Sequence, residues 1–421
     1  MLSTALIAGC ALSSPSSFPT APSVAWSHLS GGGIESAAAL TETQAFFASA
    51  NEDTAQGTIF GLNRATGARD WVLPVESMCL ASGAVGDGAL FLGCDDKVLH
   101  ALEQRTGAER WSHAAGGEFT GGAAFSAAQN LVISGSSKPS VVALDARSGA
   151  VAWEFETEAN VASTPVLAAC ASTGREVLYV GDDGGSFFKL DAATGAKVWG
   201  VALGAGNVRC PANVLPAGGG GGGGGGDGGG GGGGELVLLS AGDPDAQPAH
   251  GSVLALRTAD GSEAWRSECD GGPNKCSSCW TTPTVVDGVA VVGCGIDGEP
   301  SGKVWGLAPA TGEVLWRQHF DNDMQTSSPL PLPDGKGFVL GNIDGHLHCL
   351  EGKTGARRWK WRTPGAKGIW STPRLAVDDD TGATIYVSSH DKHVYALREE
   401  GGKAAAADDA DDGVRENNDE L

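Results

Sequence analysis

An all-β fold, a single eight-bladed propeller of four-stranded blades, is what this sequence predicts, and three observations predict it. The first is a turn followed by a tryptophan, written seven times: Thr66-Gly67 to Trp71, Thr106-Gly107 to Trp111, Ser148-Gly149 to Trp153, Thr194-Gly195 to Trp199, Asp260-Gly261 to Trp265, Thr311-Gly312 to Trp316 and Thr354-Gly355 to Trp359. These tryptophans stand 40, 42, 46, 66, 51 and 43 residues apart, close to the period of a propeller blade. The second is a short alternating strand ending in Leu before each turn, with an eighth copy at Lys392 to Leu397 that has no Trp after it. The third is Trp26, which lies 45 residues before Trp71 with no turn preceding it. An N-terminal strand around Trp26 therefore completes the last blade and leaves no sheet edge open.

In chain order, residues 1–22 form an N-terminal segment. Leu2 to Leu12 is apolar but short, lacks basic residues ahead of it, and contains Ile7-Ala8-Gly9-Cys10, the form of a lipoprotein cleavage box. Residues 23–398 form the propeller. Within each unit the alternating segment before the turn reads as the third strand and the Trp segment as the fourth. Small-residue stretches such as Glu35-Ser36-Ala37-Ala38, Ala162-Ser163-Thr164-Pro165, Trp280-Thr281-Thr282-Pro283 and Trp370-Ser371-Thr372-Pro373 read as the innermost strands, because eight strands converging on one axis leave little room. The longest Trp spacing is explained by residues 218–234, which are 16 Gly and one Asp. Such an insertion in a surface loop costs little, since loop closure grows only logarithmically with length.

Residues 399–421 form an acidic tail with nine acids and two bases, expected to be solvated. Its last four residues, Asn418-Asp419-Glu420-Leu421, are a degenerate form of the Lys-Asp-Glu-Leu retrieval signal. The chain start and this end leave the compartment open between cytosol and secretory lumen. With 28 Lys and Arg against 50 Asp and Glu, the formal charge is −22, which argues against nucleic acid as a partner. No run of about 20 apolar residues exists to span a membrane as a helix.

The phrase Ala-Leu-Asp-Ala with a Thr-Gly or Ser-Gly turn and then Trp, as in Ala143-Leu144-Asp145-Ala146 to Trp153 and Leu190-Asp191-Ala192-Ala193-Thr194-Gly195 to Trp199, resembles the quinoprotein or PQQ-like repeat. The resemblance covers about residues 23 to 398. It is similar in style to the C-terminal propeller of the β-alanine-activating enzyme, in Ile34-Glu35-Ser36 and Gly93-Cys94-Asp95, and to the bacterial outer-membrane assembly lipoprotein. It implies that Trp26, Trp71, Trp111, Trp153, Trp199, Trp265, Trp316 and Trp359 are docking residues packed between blades. Catalytic members of the family carry adjacent cysteines over the quinone PQQ, a calcium and a catalytic Asp. This sequence has no Cys-Cys dipeptide, and no cofactor is expected; PQQ with calcium is the alternative.

Asp95, Asp182, Asp297, Asp344 and Asp391 read as one recurring position at the turn between second and third strands; they form either an acidic face or, as favoured, turns in which Asp bonds its own backbone. Trp280 and Trp370 stand at equivalent places at the channel mouth, with Arg209 one position further along in its blade. They offer a stacking platform with a cation, as a flat anionic ligand needs, or interblade packing, which is favoured. Cys79 and Cys94, and again Cys279 and Cys294, are 15 apart and face across a hairpin, as disulfides or, as favoured, as buried thiols. Cys269, Cys276 and Cys279 form half a zinc site or a loop staple. His100 and His348 share a third-strand position that Tyr395 fills elsewhere. No nucleophile triad, P-loop or dinucleotide fingerprint is present. The sequence thus predicts a non-catalytic, monomeric scaffold with a protein or peptide partner on a loop face. The rivals are a quinone-dependent dehydrogenase with an altered site and a detached module of an amino-acid-activating enzyme.

Overall fold

A computed structural model describes residues 18–399 apart from 52, 171, 205, 216–234, 244–249, 269–275, 297–301, 325–326 and 379–381. The glycine tract, the acidic tail, Cys269 and Asp297 lie outside the described residues.

The strands fall into eight antiparallel sheets taken in chain order, blade 1 (39–75), blade 2 (84–114), blade 3 (124–156), blade 4 (166–202), blade 5 (213–268), blade 6 (276–320), blade 7 (330–362) and blade 8 (374–398). Blade 8 has three strands of its own, and Ser23–Leu29 supplies its fourth, pairing Ser27 with Tyr395 and His28 with Val394. This is the closure the unpaired Trp26 predicts. Blade 6 divides its first strand into Cys276–Ser278 and Thr284–Val286, both paired with Val289–Ile296.

First strands are short, and the small-residue segments are not those strands but the loops that enter them: Ser163 precedes Val166–Ala169 and Thr281 precedes Thr284–Val286. Their hydroxyls do the work of a missing ladder partner. Ser163 Oγ accepts the Gly181 N–H at 2.9 Å and donates to the Gly181 carbonyl at 2.8 Å. Thr281 Oγ1 does the same at Gly293, at 2.8 and 2.9 Å. The next hydroxyl along accepts an N–H from the preceding blade, Ser82 from Ala37, Thr164 from Gly122, Ser328 from Thr282 and Thr372 from Ser328. A ring of side-chain hydrogen bonds thus ties neighbouring blades near the axis, where buried N–H groups otherwise lack partners.

The outer radius is tied by indoles. Each docking Trp donates Nε1–H to a carbonyl in the next blade, from Trp71 to Gln104 at 2.7 Å, Trp153 to Ala192 at 3.1 Å and Trp265 to Pro309 at 2.9 Å. The turn glycine lies flat on the same ring. Gly195 has φ 70° and sits where a Cβ would come within 2.6 Å of the Trp153 ring, so both conformation and contact require glycine. The fourth strand is aimed by a one-residue bulge just before the Trp: Ala143 faces Trp153 and Leu144 faces Val151, which leaves Ala152 unpaired. The closing strand repeats this, with Val24 opposite Leu397 and Trp26 opposite Ala396.

The apolar core is correspondingly divided into eight clusters, each shared by two adjacent blades, such as Tyr179, Phe187 and Trp199 with Leu239 and Leu254 between blades 4 and 5. At the junction of blades 7 and 8 no Thr-Gly turn exists to receive Trp359. Phe18, fully buried, replaces it: its carbonyl accepts the Trp359 Nε1–H at 2.7 Å and its ring joins the cluster of Val339, Leu347 and Tyr395. The ordered start of the propeller is therefore upstream of residue 23.

Two outcomes follow for stability. Gly195→Ala is expected to destabilise by roughly 1–3 kcal/mol, read from the denaturant midpoint at unchanged slope. Phe18→Ala is expected to cost about 3–5 kcal/mol by removing the core contact that closes the ring; a midpoint equal to wild type would show that this residue does not close it.

Candidate functional site at the entry-loop face

The loops entering the first strands and the turns between second and third strands lie together at one end of the propeller. Backbone bonds fix this, Asp95 N–H to the Met78 carbonyl, Asp183 N–H to Asn160 and His390 N–H to Gly368, each joining a turn to its own blade's entry loop. The entry loop of the next blade bonds back to the same turn, as Val208 N–H does to Asp182 and Ile369 N–H to Asn342. The turns at Cys94–Asp95, Ser136–Ser137 and Asp182–Asp183 are each clamped between two loops, which makes this part of the face rigid.

Arg209, Trp280 and Trp370 all sit on it, and at one equivalent position. Cys210, which follows Arg209, bonds Ser240 through Sγ as Thr281, which follows Trp280, bonds Gly293. Arg209 is thus in register with the two tryptophans rather than one residue beyond them; Cys210 takes the hydroxyl place and obscures the match. Glu35, before Ser36, holds this position in blade 1.

These side chains are paired, Arg209 across blades and Trp370 within blade 8. Arg209 forks onto Asp183 with Nε to Oδ1 at 2.8 Å and Nη2 to Oδ2 at 3.3 Å, and its guanidinium lies 5.4 Å from the Trp280 ring centre. Trp370, 40% exposed, stacks on His390 at 4.5 Å between ring centres, and His390 Nε2 is 3.3 Å from Glu35 Oε1. Burial, and then the charges of Glu118, Asp96 and Glu35, raise the Asp95 pKa above the usual carboxylate range. The face therefore has an acidic sector around blades 1 and 2, a guanidinium over an indole at blades 5 and 6, and an indole against an imidazole at blade 8. The sequence places Asp183 beside Asp182 and His390 with His393 at turns, and Glu35 in a small-residue segment, but does not reveal that they pair with Arg209 and Trp370. Their signal was positional.

The turn aspartates occupy three adjacent places rather than one. Aligned on the glycine or serine that ends the second strand, Asp182 comes first after it, Asp95 second, and Asp344 and Asp391 third. Asp182 Oδ1 accepts the N–H groups of Gly184 and Ser186 at 3.0 and 2.8 Å, Asp344 that of His346 at 3.2 Å and Asp391 that of His393 at 3.1 Å. Asp182 is fully buried, and desolvation raises its pKa.

The cysteine pairs are bonded where buried thiols were favoured. Cys79 joins Cys94 and Cys279 joins Cys294, with Cα atoms 4.2 and 4.4 Å apart. An entry-loop cysteine faces the end of the second strand of the same blade in each pair, as the spacing of 15 predicts, and the contact is a bond rather than two thiols. Cys279 is thereby engaged, the side chain of Cys276 lies outside the described residues, and the half zinc site is not assembled among the described residues.

At the mouth the Arg209 guanidinium lies over the Trp280 ring and the His390 ring lies tilted against Trp370.

The fold and docking geometry define an eight-bladed propeller of PQQ-like repeats. The family model described as outer membrane protein assembly factor BamB matches residues 95–217 and 223–420, and the chain belongs to that family. Among solved structures it is similar to BamB from Moraxella catarrhalis, at TM-score 0.63 and 19% identity over 92% of this chain and 100% of that one. It is also similar to the quinohemoprotein alcohol dehydrogenase of Comamonas testosteroni, at TM-score 0.69 and 14% identity over 91% of this chain and 77% of that one. At such identities the likeness is one of fold. The serine/threonine-protein kinase AfsK of Streptomyces griseus is 32% identical over 128 residues, 30% of this chain and 16% of that protein; the match spans about a sixth of the relative's length.

Away from this face, Cys170 stands at the end of the first strand of blade 4, with Sγ 3.3 Å from Ser172 Oγ. The hydroxyls of Ser172 and Thr173 lower its thiol pKa to about 6, whereas burial raises those of Cys210 and Cys349. Because the thiolate is the nucleophile, Cys170 is expected to alkylate faster than Cys210 and Cys349 at pH 7, its rate falling to half near pH 6 as the sulfur takes up its proton. Residue-resolved alkylation mass spectrometry across pH 5–8 checks this.

Proposed function

We propose that this chain is a non-catalytic binding scaffold that takes a protein or peptide partner on the entry-loop face. The observation that carries the reading is the half-exposed Trp370 on His390 and Glu35, set on the same face as the Arg209–Trp280 stack. Aromatic and Arg side chains held in place by their neighbours bind with little loss of conformational freedom, and residues of these types dominate interface energetics. The acidic sector of Glu35, Asp95 and Glu118, together with the net charge of −22, favours a basic segment in the partner. The family's description as an assembly factor supports a role performed on other proteins. The proposal assigns no cofactor. The likeness to the propeller of an amino-acid-activating enzyme rests on short phrases and carries no part of it.

The test compares capture of partners by wild type, by Trp370→Ala with Arg209→Ala, and by Val198→Lys on an outer strand, each immobilised and quantified by mass spectrometry. Partners specific to wild type are expected to drop at least about tenfold with the first variant, as for loss of interface anchors, and to persist with the second. Equal capture by all three proteins would overturn the reading.

A further inference from the structure

Blade 2 brings together residues that the proposed binding face does not use. Cys94 is the first turn residue after the second strand, Asp96 is two residues on, and His100 lies on the third strand, Val98–Glu103. The ligand atoms of these three side chains all lie within 4.8 Å of one another. His100 Nε2 is 3.4 Å from Asp96 Oδ2, and its Nδ1 is 3.1 Å from Glu109 Oε2 on the fourth strand. Glu109 is itself held by the Ser112 hydroxyl at 3.1 Å. Ligand atoms at the corners of a tetrahedron about 2.0–2.3 Å from an ion lie roughly 3.3–3.8 Å apart. The His–Asp pair is already at that separation. A carboxylate on Nδ1 fixes the proton there and leaves Nε2 as the donor, which is the arrangement that orients metal-binding histidines.

The fourth donor is the partner of Cys94. Cys79 is bonded to it through sulfur, so breaking that bond leaves two thiols beside the imidazole and the carboxylate. We propose that reduction of the Cys79–Cys94 disulfide opens a site for a thiophilic divalent cation of the zinc class, held by both cysteine sulfurs, His100 Nε2 and an Asp96 oxygen. With a phosphine as reductant, the S–S bond is cleaved, the phosphine is oxidised to its oxide with the oxygen of one water, and each sulfur gains a hydrogen. Metal binding then releases the two thiol protons, while His100 coordinates as the neutral ring and keeps its Nδ1 proton on Glu109.

Two sulfurs, one imidazole and one carboxylate are a donor set that suits zinc. His100 and Asp96 are partly exposed, with 15% and 36% of their side chains accessible, so the ion has a route from solvent. Blade 6 provides an internal control. Its Cys279–Cys294 pair is equivalent, but Trp305 stands in register with His100, opposite Val292 as His100 is opposite Leu92. That blade therefore lacks the imidazole.

The experiment uses the full chain with Cys279→Ser and Cys294→Ser, titrated with cobalt(II) before and after phosphine reduction. The reduced protein is expected to bind one equivalent with a thiolate-to-cobalt charge-transfer band, and the oxidised protein none. His100→Gln is expected to weaken binding at least about tenfold, and Glu109→Gln by about tenfold, as for loss of a partner that orients a ligand. If the double-serine protein does not fold, wild type with both disulfides reduced takes its place, because His100→Gln alters blade 2 alone. Absence of the band, a band unchanged by His100→Gln, or loss of the β-sheet circular dichroism signal on reduction would each overturn the proposal.

Discussion

The hydrogen bond from an outer-strand indole to a carbonyl of the next blade's turn is the contact on which the rest of this molecule depends. No strand ladder joins one sheet to the next among the described residues, so the sheets cohere through side chains and through single backbone bonds from entry loops to the neighbouring turns. Burial of an indole contributes about 2–3 kcal/mol and its bond roughly 1 more, and the arrangement recurs at every junction. Two further constraints follow from it. The turn beneath the ring must be glycine, because Gly107 and Gly261 combine a positive φ with contact against Trp71 and Trp199. The strand bearing the ring must bulge by one residue to aim it. At the inner radius the hydroxyls of Ser82, Thr164, Ser328 and Thr372 play the complementary part, so those four interfaces are held at both ends of the wedge.

What repeats was legible, and what occurs once was not. The Trp-turn period gave blade number, strand order and closure through Trp26, because each copy reports the same contact. The last docking site has no Thr-Gly turn, and the residue that replaces it, Phe18, belongs to no copy; nothing in a period points to it. The turn aspartates were misaligned for a related reason. Carboxylates at the first and third of these places each reach a backbone N–H two to four residues on, so the residue type recurs while the position slides. Arg209 is displaced by one in the sequence reading because Cys210 stands where a hydroxyl is expected, and its thiol donates to the Ser240 carbonyl as the Thr281 hydroxyl donates to that of Gly293. That the paired cysteines face each other was legible in their spacing of 15, and that they are bonded was not.

The same distinction separates fold from function. The position shared by Glu35, Arg209, Trp280 and Trp370 lies just before the hydroxyl that anchors the entry loop, so its backbone is fixed while its side chain is left to vary. Loops on a rigid scaffold are where binding chemistry accumulates. Here the variation is organised into pairs: a cation on one indole, an imidazole on another, each with a carboxylate from a neighbouring element. Those pairings hold the surface in a set conformation.

The two disulfides bear on stability in a way the docking contacts do not. Each links residues 15 apart within one blade, so neither crosses an interface between blades nor joins the chain ends. Closure rests instead on Ser23–Leu29 in the last sheet and on Phe18 beneath Trp359. A change in thiol redox state therefore acts on one entry loop and one turn, while the ring is held by bonds that contain no sulfur. Chemistry at Cys79 and Cys94 can vary without the propeller opening, because the fold places redox-sensitive atoms at a local hairpin and gives long-range cohesion to indoles, hydroxyls and apolar clusters.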